Sequence, residues 1–271
     1  MSDMSRCGCK GIRSCLLCEQ EKHKQNEIIK CFKNIHYFCD ICDKAFEENK
    51  SKHPNHHGNY MEFPGIFIQR DFISLEEESN IFEKIYENHF VESQSGRRKQ
   101  DYGPKVNFKR KKVKPDVFTG LPKFSEFIYQ RMKSLEILED FEPVEQCNLE
   151  YVPERGSSID PHFDDFWLWG ERLVTLNLGS DSALCMTSSD YPNTSVHVPL
   201  FRRSLTVVYG PARHAWMHGI HRCDITDRRL AITYRELSAE FQPGGEKEKV
   251  GKSLLDIAMT FEGVPIASLK P

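Results

Sequence analysis

Residues 210–237 read GPARHAWMHGIHRCDITDRRLAITYREL, and the fold turns on how this stretch is read. "HAWMHGI" and "RLAITYREL" are short runs rich in strand-forming residues. Within the second, Arg229 and Arg235 stand six positions apart, so on a regular strand both guanidinium groups face the same way. Beside apolar Leu230, Ile232 and Tyr234, such a pair reads as inward-facing. A buried guanidinium needs an anion, and its planar fork matches a carboxylate bidentately. The anion is either a structural acid such as Glu236 or Glu240, or a diacid ligand offering one carboxylate to each arginine.

More short runs precede this stretch: "VEQCNLEYV", "RLVTLNL", "HVPLF" and "SLTVVYG", punctuated by Gly, Pro, Asn and Asp as in a β-sandwich or jelly roll. Upstream, Phe63 to Ile68 reads as a strand. Ser74 followed by Glu77 opens a helix carrying Ile81, Phe82 and Ile85. A second amphipathic helix fits Phe124, Phe127, Ile128, Arg131, Met132 and Leu135, and "GKSLLDIAMTF" closes the chain as a third. The expected class is α+β, with helices flanking a double-sheeted β core. A Cys-rich segment, 1–60, precedes a domain spanning 61–271. At 39% hydrophobic, 28% charged and net charge −3, the composition is that of a soluble globular protein. No apolar run is long enough to span a bilayer, and the N-terminus has no apolar leader, so an intracellular monomer without membrane contact is expected.

Residues 161–170, PHFDDFWLWG, place His162 and Asp164 two apart, on one face if the backbone is extended. A third ligand from a distant strand would complete a metal site, and His214, His218 and His221 are the candidates. Two histidines and one carboxylate form the facial triad of non-haem Fe(II) oxygenases, whereas zinc in a hydrolase more often takes four ligands.

Two other segments carry chemistry. Residues 1–60 hold seven of ten cysteines, and Cys7, Cys9, Cys15 and Cys18 form C-x-C-x5-C-x2-C, a spacing that can close a zinc or iron–sulfur site. Cys39, Cys42 and Phe46 begin like a zinc finger, but Cys42 to His53 is shorter than the usual finger interval. From Arg97 to Lys114 nine Lys or Arg oppose one acid, Asp101, with Tyr102, Val106 and Phe108 interleaved. That reads as a folded basic surface for nucleic acid, an acidic protein or an import receptor. "KRKKVK" is similar to a nuclear localisation signal, so cytoplasm and nucleus are the expected compartments.

The order H-x-D, then H-G-I after a G-P-x-R turn, then R-x5-R, resembles the AlkB family of Fe(II)- and 2-oxoglutarate-dependent dioxygenases. "GPARHAWMHGI" is similar to the family's third-ligand strand and selects His218. "QDYGPKVNF" is similar to the hairpin of its substrate-recognition lid.

The resemblance implies a double-stranded β-helix holding Fe(II) through His162, Asp164 and His218. It implies that Tyr151 and Arg229 hold the distal carboxylate of 2-oxoglutarate, and that Arg235 supports the end near the iron. Oxidative removal of N-methyl groups would release formaldehyde, succinate and carbon dioxide. The implied substrates are monomethyl-lysine on actin, hence actomyosin and cell division, or N6-methyladenine in DNA. Substrate contacts would come from Arg97, Arg98, Lys99, Tyr102, Asp165, Trp167 and Trp169, with both tryptophans equally suited to packing the core. Many family members carry an Asn two residues before the tyrosine. Here that position is Leu149, with Asn148 on the opposite strand face, which leaves that polar contact open. The rival readings are a scaffold binding actomyosin or nucleic acid through its Cys-rich and basic segments, and a zinc hydrolase.

Overall fold

In the computed structural model, which describes residues 9, 15–22, 32–47, 53–56, 58–115 and 117–269, the alternation along 229–237 organises the centre of the molecule. Leu230, Ile232 and Tyr234 enter one core cluster, while Arg229, Ala231, Thr233 and Arg235 line a cavity on the other side. The strands in chain order are β1 (Asn34–Cys39), β2 (Lys44–Phe46), β3 (Tyr60–Glu62), β4 (Ile66–Gln69), β5 (Val91–Glu92), β6 (Arg98–Tyr102), β7 (Lys105–Asn107) and β8 (Lys112–Lys114). They continue with β9 (Pro143–Tyr151), β10 (Ile159–His162), β11 (Trp169–Leu178), β12 (Ser182–Thr187), β13 (Thr194–Leu200), β14 (Leu205–Val208), β15 (Met217–Ile220) and β16 (Arg229–Leu237). Helices are α1 (Leu16–Lys22), α2 (Leu75–Tyr86), α3 (Glu126–Met132), α4 (Gly210–Ala215) and α5 (Glu248–Ala258).

Two seven-stranded sheets form, ordered β4-β14-β11-β16-β9-β6-β5 and β10-β15-β12-β13-β1-β2-β3, with β7 and β8 a separate hairpin. This is the expected double-sheeted core with outer helices. Ile81 and Ile85 of α2 and Ile128 and Met132 of α3 pack on Leu176, Leu178, Leu230 and Ile232 of the first sheet. Each such aliphatic side chain, fully buried, contributes about 1.5–3 kcal/mol. Between the sheets, Leu173, Met186, Val196, Val198 and Val208 form a second cluster.

Some elements depart from the sequence expectations. "HAWMHGI" is divided: Pro211 starts the short α4, and the strand begins only at Met217. Likewise Pro64 and Gly65 delay the strand expected from Phe63 until Ile66. β10 tolerates Pro161 because it is an edge strand. β1, β2 and β3, all before residue 63, extend the second sheet through a parallel pairing of β1 with β13.

The capping box forms as expected. Ser74 Oγ accepts from Glu77 N at 3.1 Å, and Glu77 Oε2 accepts from Ser74 N at 2.8 Å. Glu77 also pairs with Arg131 of α3, at 2.6 Å, which holds its carboxyl down to about 2. This stabilisation is complete above the ordinary carboxylate pKa and is lost as pH falls toward 2. Ser74→Ala is expected to lower stability by about 1 kcal/mol, or about 2–4 °C in Tm by calorimetry. An unchanged melting temperature would show that the box adds nothing.

Candidate active site

The antiparallel register of β10 with β15 sets His162 opposite His218, with ring centroids 4.5 Å apart. Asp164 follows at the end of β10, its Oδ1 3.8 Å from His162 Nε2. One ligand atom from each of the three falls within 4.8 Å of the others. The remaining candidates lie elsewhere: His214 sits on α4 and pairs with Glu171 at 2.8 Å, while His221 faces Asp224 at 3.9 Å.

The protonation states suit a cation. His162 Nδ1 lies 2.8 Å from the Asp160 carbonyl. A carbonyl only accepts, so Nδ1 carries a proton and Nε2 is the ring atom turned toward Asp164. Burial pushes His218 down to about 3, leaving a neutral imidazole. Burial alone would raise Asp164, but Arg235 and the two imidazoles hold it well below the usual carboxylate range. Two neutral imidazoles and one carboxylate fit a ferrous ion, and a three-ligand set leaves positions open for other ligands.

The same cavity reaches Tyr151, Leu149, Thr206 and Arg229. Arg229 is 2% exposed, and among the described residues no carboxylate pairs with it. Its Nε donates to Asn177 Oδ1 at 2.5 Å, and its guanidinium lies 4.9 Å from the Tyr151 ring centroid. Thr206 Oγ1, also lining the cavity, is buried without a hydrogen-bond partner among the described residues. A buried cation and an unpaired hydroxyl at one end, with a metal-ready triad at the other, fit a small diacid chelator. Leu149 presents an apolar side chain to the cavity. Asn148 is turned away and bonded to Gln100 and Gln146, so the polar contact left open by the sequence does not come from there.

The structural acids considered for the arginines are engaged elsewhere: Glu236 with Arg172 at 2.7 Å, Glu240 with Lys247 at 2.6 Å. Arg235 instead grips Asp164 at 2.8 Å and Glu145 at 2.7 Å. Through Nε and Nη2 it fixes the orientation of the Asp164 carboxylate. Burial pushes the Glu145 carboxyl up, partly offset by Arg235.

An open recess in front of Asp164 is lined by Phe108, Glu145, Phe163, Asp165, Trp169 and Arg235. Trp169 thus serves both the recess and the core, being 4% exposed. Trp167 packs edge-on against Phe241, outside this recess. Asp165 also caps its own turn, accepting from Trp167 N at 2.9 Å. The basic stripe divides in two. Arg97 is buried, donating to the Gln94 carbonyl, Arg98 pairs with buried Glu150 at 2.6 Å, and Lys99 pairs with Asp101 at 2.5 Å. Tyr102 is buried as well. Arg97 and Tyr102 are thus inside the fold, while Arg98 and Lys99, each paired to an acid, keep about a third of their side chains exposed. The exposed cations are Lys105, Lys109, Arg110, Lys111, Lys112 and Lys114, on and around the β7–β8 hairpin that brings Phe108 to the recess.

Sequence reasoning missed Glu145, Phe163 and Arg213, and placed Phe108 only in the basic surface. Glu145 pairs in register with Arg235 across β9 and β16. Arg213 is 1% exposed, stacks 4.3 Å from the Phe166 ring and donates to the Asp164 carbonyl at 3.0 Å, which steadies the triad loop. At the N-terminus, Cys9, Cys15 and Cys18 bring their sulfurs within 4.8 Å of one another, and Cys7 lies outside the described residues.

No protein-family model matches the chain. It is 43% identical to the human alpha-ketoglutarate-dependent dioxygenase alkB homolog 4, over 97% of this chain and 96% of that one. It is 36% identical to the DNA N6-methyl adenine demethylase of Caenorhabditis elegans, over 92% and 93%. Among solved structures, that of OsALKBH1 superimposes with a TM-score of 0.50 at 13% identity, covering 64% of this chain and 97% of that one, a likeness of fold.

Proposed function

The chain belongs to the AlkB family of 2-oxoglutarate-dependent dioxygenases, and on that premise we propose that residues 61–271 remove N-methyl groups by oxidation. The observation that carries this reading is the single cavity joining the His162, Asp164 and His218 triad to Arg229, a buried guanidinium without a carboxylate partner among the described residues. In it, His162, Asp164 and His218 would hold Fe(II), whose chemistry when bound is to couple oxidative decarboxylation of 2-oxoglutarate to hydroxylation of a nearby carbon. Arg229, beside Tyr151, would hold the distal carboxylate of the diacid. Arg235 and Arg213 keep Asp164 in place, and the apolar lining from Leu149, Leu173, Leu184 and Val208 limits water. A substrate R–NH–CH3 with dioxygen and 2-oxoglutarate gives R–NH2, formaldehyde, succinate and carbon dioxide, which balances.

The recess favours a cationic methylamine. Asp165 supplies negative charge beside Phe108, Phe163 and Trp169, whose ring faces suit a methylammonium, while Glu145 is answered by Arg235. The exposed basic hairpin then suits an acidic protein carrier such as actin. A second reading rests on the nematode relative, whose name gives N6-methyladenine in DNA. There the aromatic side chains would stack on an extruded base and the hairpin would meet phosphates. Iron-loaded protein is to be assayed with monomethyl-lysine peptide and with N6-methyladenine DNA in parallel, reading formaldehyde and succinate. Substrate-coupled formaldehyde from the peptide alone supports the first reading and from DNA alone the second. Formaldehyde from neither, with 2-oxoglutarate still consumed, overturns N-demethylation of both. The Cys9, Cys15 and Cys18 cluster is proposed as a second metal position, for zinc or iron–sulfur.

A further inference from the structure

We propose that Cys39, Cys42, His53 and His56 bind one structural zinc ion remote from the cavity. Cys39 ends β1 and Cys42 stands in the turn before β2, so the hairpin is a knuckle carrying two thiols three positions apart. The turn is closed by Asp43 N donating to the Cys39 carbonyl at 2.9 Å, with Asp43 in the left-handed region at φ 54°. Farther on, the chain returns two imidazoles to the same point. Cys42 Sγ lies 3.1 Å from His53 Nδ1, and one ligand atom from each of the four residues falls within 4.8 Å of the others. Tetrahedral zinc, with Zn–S about 2.3 Å and Zn–N about 2.0–2.1 Å, sets neighbouring ligand atoms roughly 3.3–3.8 Å apart. To reach that geometry Cys42 Sγ and His53 Nδ1 part slightly, and the other ligand atoms already lie within 4.8 Å of one another.

His56 supplies an independent observation. Its ring stacks on Phe46 at 4.0 Å, and both its nitrogens are buried without a hydrogen-bond partner among the described residues. A buried imidazole needs at least one of its nitrogens satisfied, and a metal bond does so. Neither cysteine is in a disulfide. Two thiolates with two imidazoles is a set suited to zinc, and four protein ligands close the coordination sphere, which marks a structural site. The interval from Cys42 to His53 is short for a finger with an intervening helix, yet it brings His53 to within 3.1 Å of Cys42.

The ion would fix the hairpin that extends the catalytic sheet. β1 pairs with β13 and β2 with β3, at the opposite end of the sheet from β10 and β15, which carry His162 and His218. Arg70 fastens the same knuckle from β4, pairing with Asp40 at 2.6 Å and lying 3.9 Å from the Phe201 ring.

The test is zinc analysis of the full-length protein after dialysis against a weak chelator. Cys42→Ser and His56→Ala are each expected to lose one equivalent relative to wild type, and to lose the same equivalent in a background carrying His218→Ala and Cys15→Ser, where the other two metal positions are removed. Equal zinc in wild type and both knuckle variants overturns the proposal. Should the variants fail to fold, wild type loaded with an NMR-active cadmium isotope decides. A cadmium resonance in the range for two sulfur and two nitrogen ligands supports the site, and its absence overturns it.

Discussion

Arg229→Met is expected to abolish measurable 2-oxoglutarate binding and to leave the protein without cosubstrate at least as stable as wild type. The affinity loss follows from the two charge-assisted hydrogen bonds that a guanidinium fork makes to a carboxylate, each about 1.5–3 kcal/mol, together about 10²–10⁴-fold in Kd. The stability follows from burial. Arg229 is 2% exposed, and burial pushes its pKa below the usual guanidinium value because only Asn177 and the Tyr151 side chain answer its charge. Removing an uncompensated buried charge while keeping an apolar stem of similar length relieves desolvation. The two effects separate in one pair of experiments. Calorimetric titration reads the binding loss, and thermal melts read stability with and without 2-oxoglutarate. At a hundredfold excess over Kd the ligand should stabilise wild type by about 2.7 kcal/mol and the variant not at all. Wild-type affinity in the variant would show that Arg229 does not hold the cosubstrate. A collapsed fold would show that its partners within the protein matter more than its ligand.

The arginines were legible in the sequence because a strand has a period of two, and a period of six positions survives any detail of packing. Leu230, Ile232 and Tyr234 fall where that alternation puts them, against the helices. What 229–237 does not carry is who answers each charge. Arg235 finds Asp164 and Glu145, and Glu145 comes from β9 across a register that only strand pairing fixes. The Ser74 cap was legible for the same local reason as the strand period: both partners lie within one helical turn. The basic segment shows the opposite limit. Composition marks 97–114 as a stripe, yet Arg98 and Lys99 are taken up by Glu150 and Asp101, acids whose approach depends on β6 lying beside β9 and on its own turn. The zinc-finger-like start at Cys39 meets a spacing rule drawn from fingers that contain a helix, whereas here His53 and His56 come within reach of both thiols at a shorter interval. Local periodicity therefore reports faces, and long-range pairing decides which charges meet.

Asp164→Asn is expected to remove both iron binding and formaldehyde production while preserving most of the fold. Asparagine keeps the volume and withdraws the only negative charge among His162, Asp164 and His218, so a ferrous ion would face two neutral imidazoles and a weak amide donor. A loss of at least about 4 kcal/mol in the reacting complex, about 10³-fold in rate, is the scale for removing a charged group from such a site. Stability falls less than for a usual broken buried pair, about 3–5 kcal/mol, because Arg235 retains Glu145. The pH dependence supplies a further mark. Arg235, His218 and His162 hold the Asp164 carboxyl below its ordinary value of 3.8, so its ionised form stabilises the native state above that pH and the contribution is lost as pH falls below it. The asparagine variant lacks that acid limb and should converge with wild type in strong acid. Iron content after anaerobic loading, formaldehyde yield and the two acid-unfolding curves are the measurements. Wild-type iron content in the variant would remove Asp164 from the metal site. Parallel acid curves would remove the ion pair with Arg235 from the account of how that carboxylate is held.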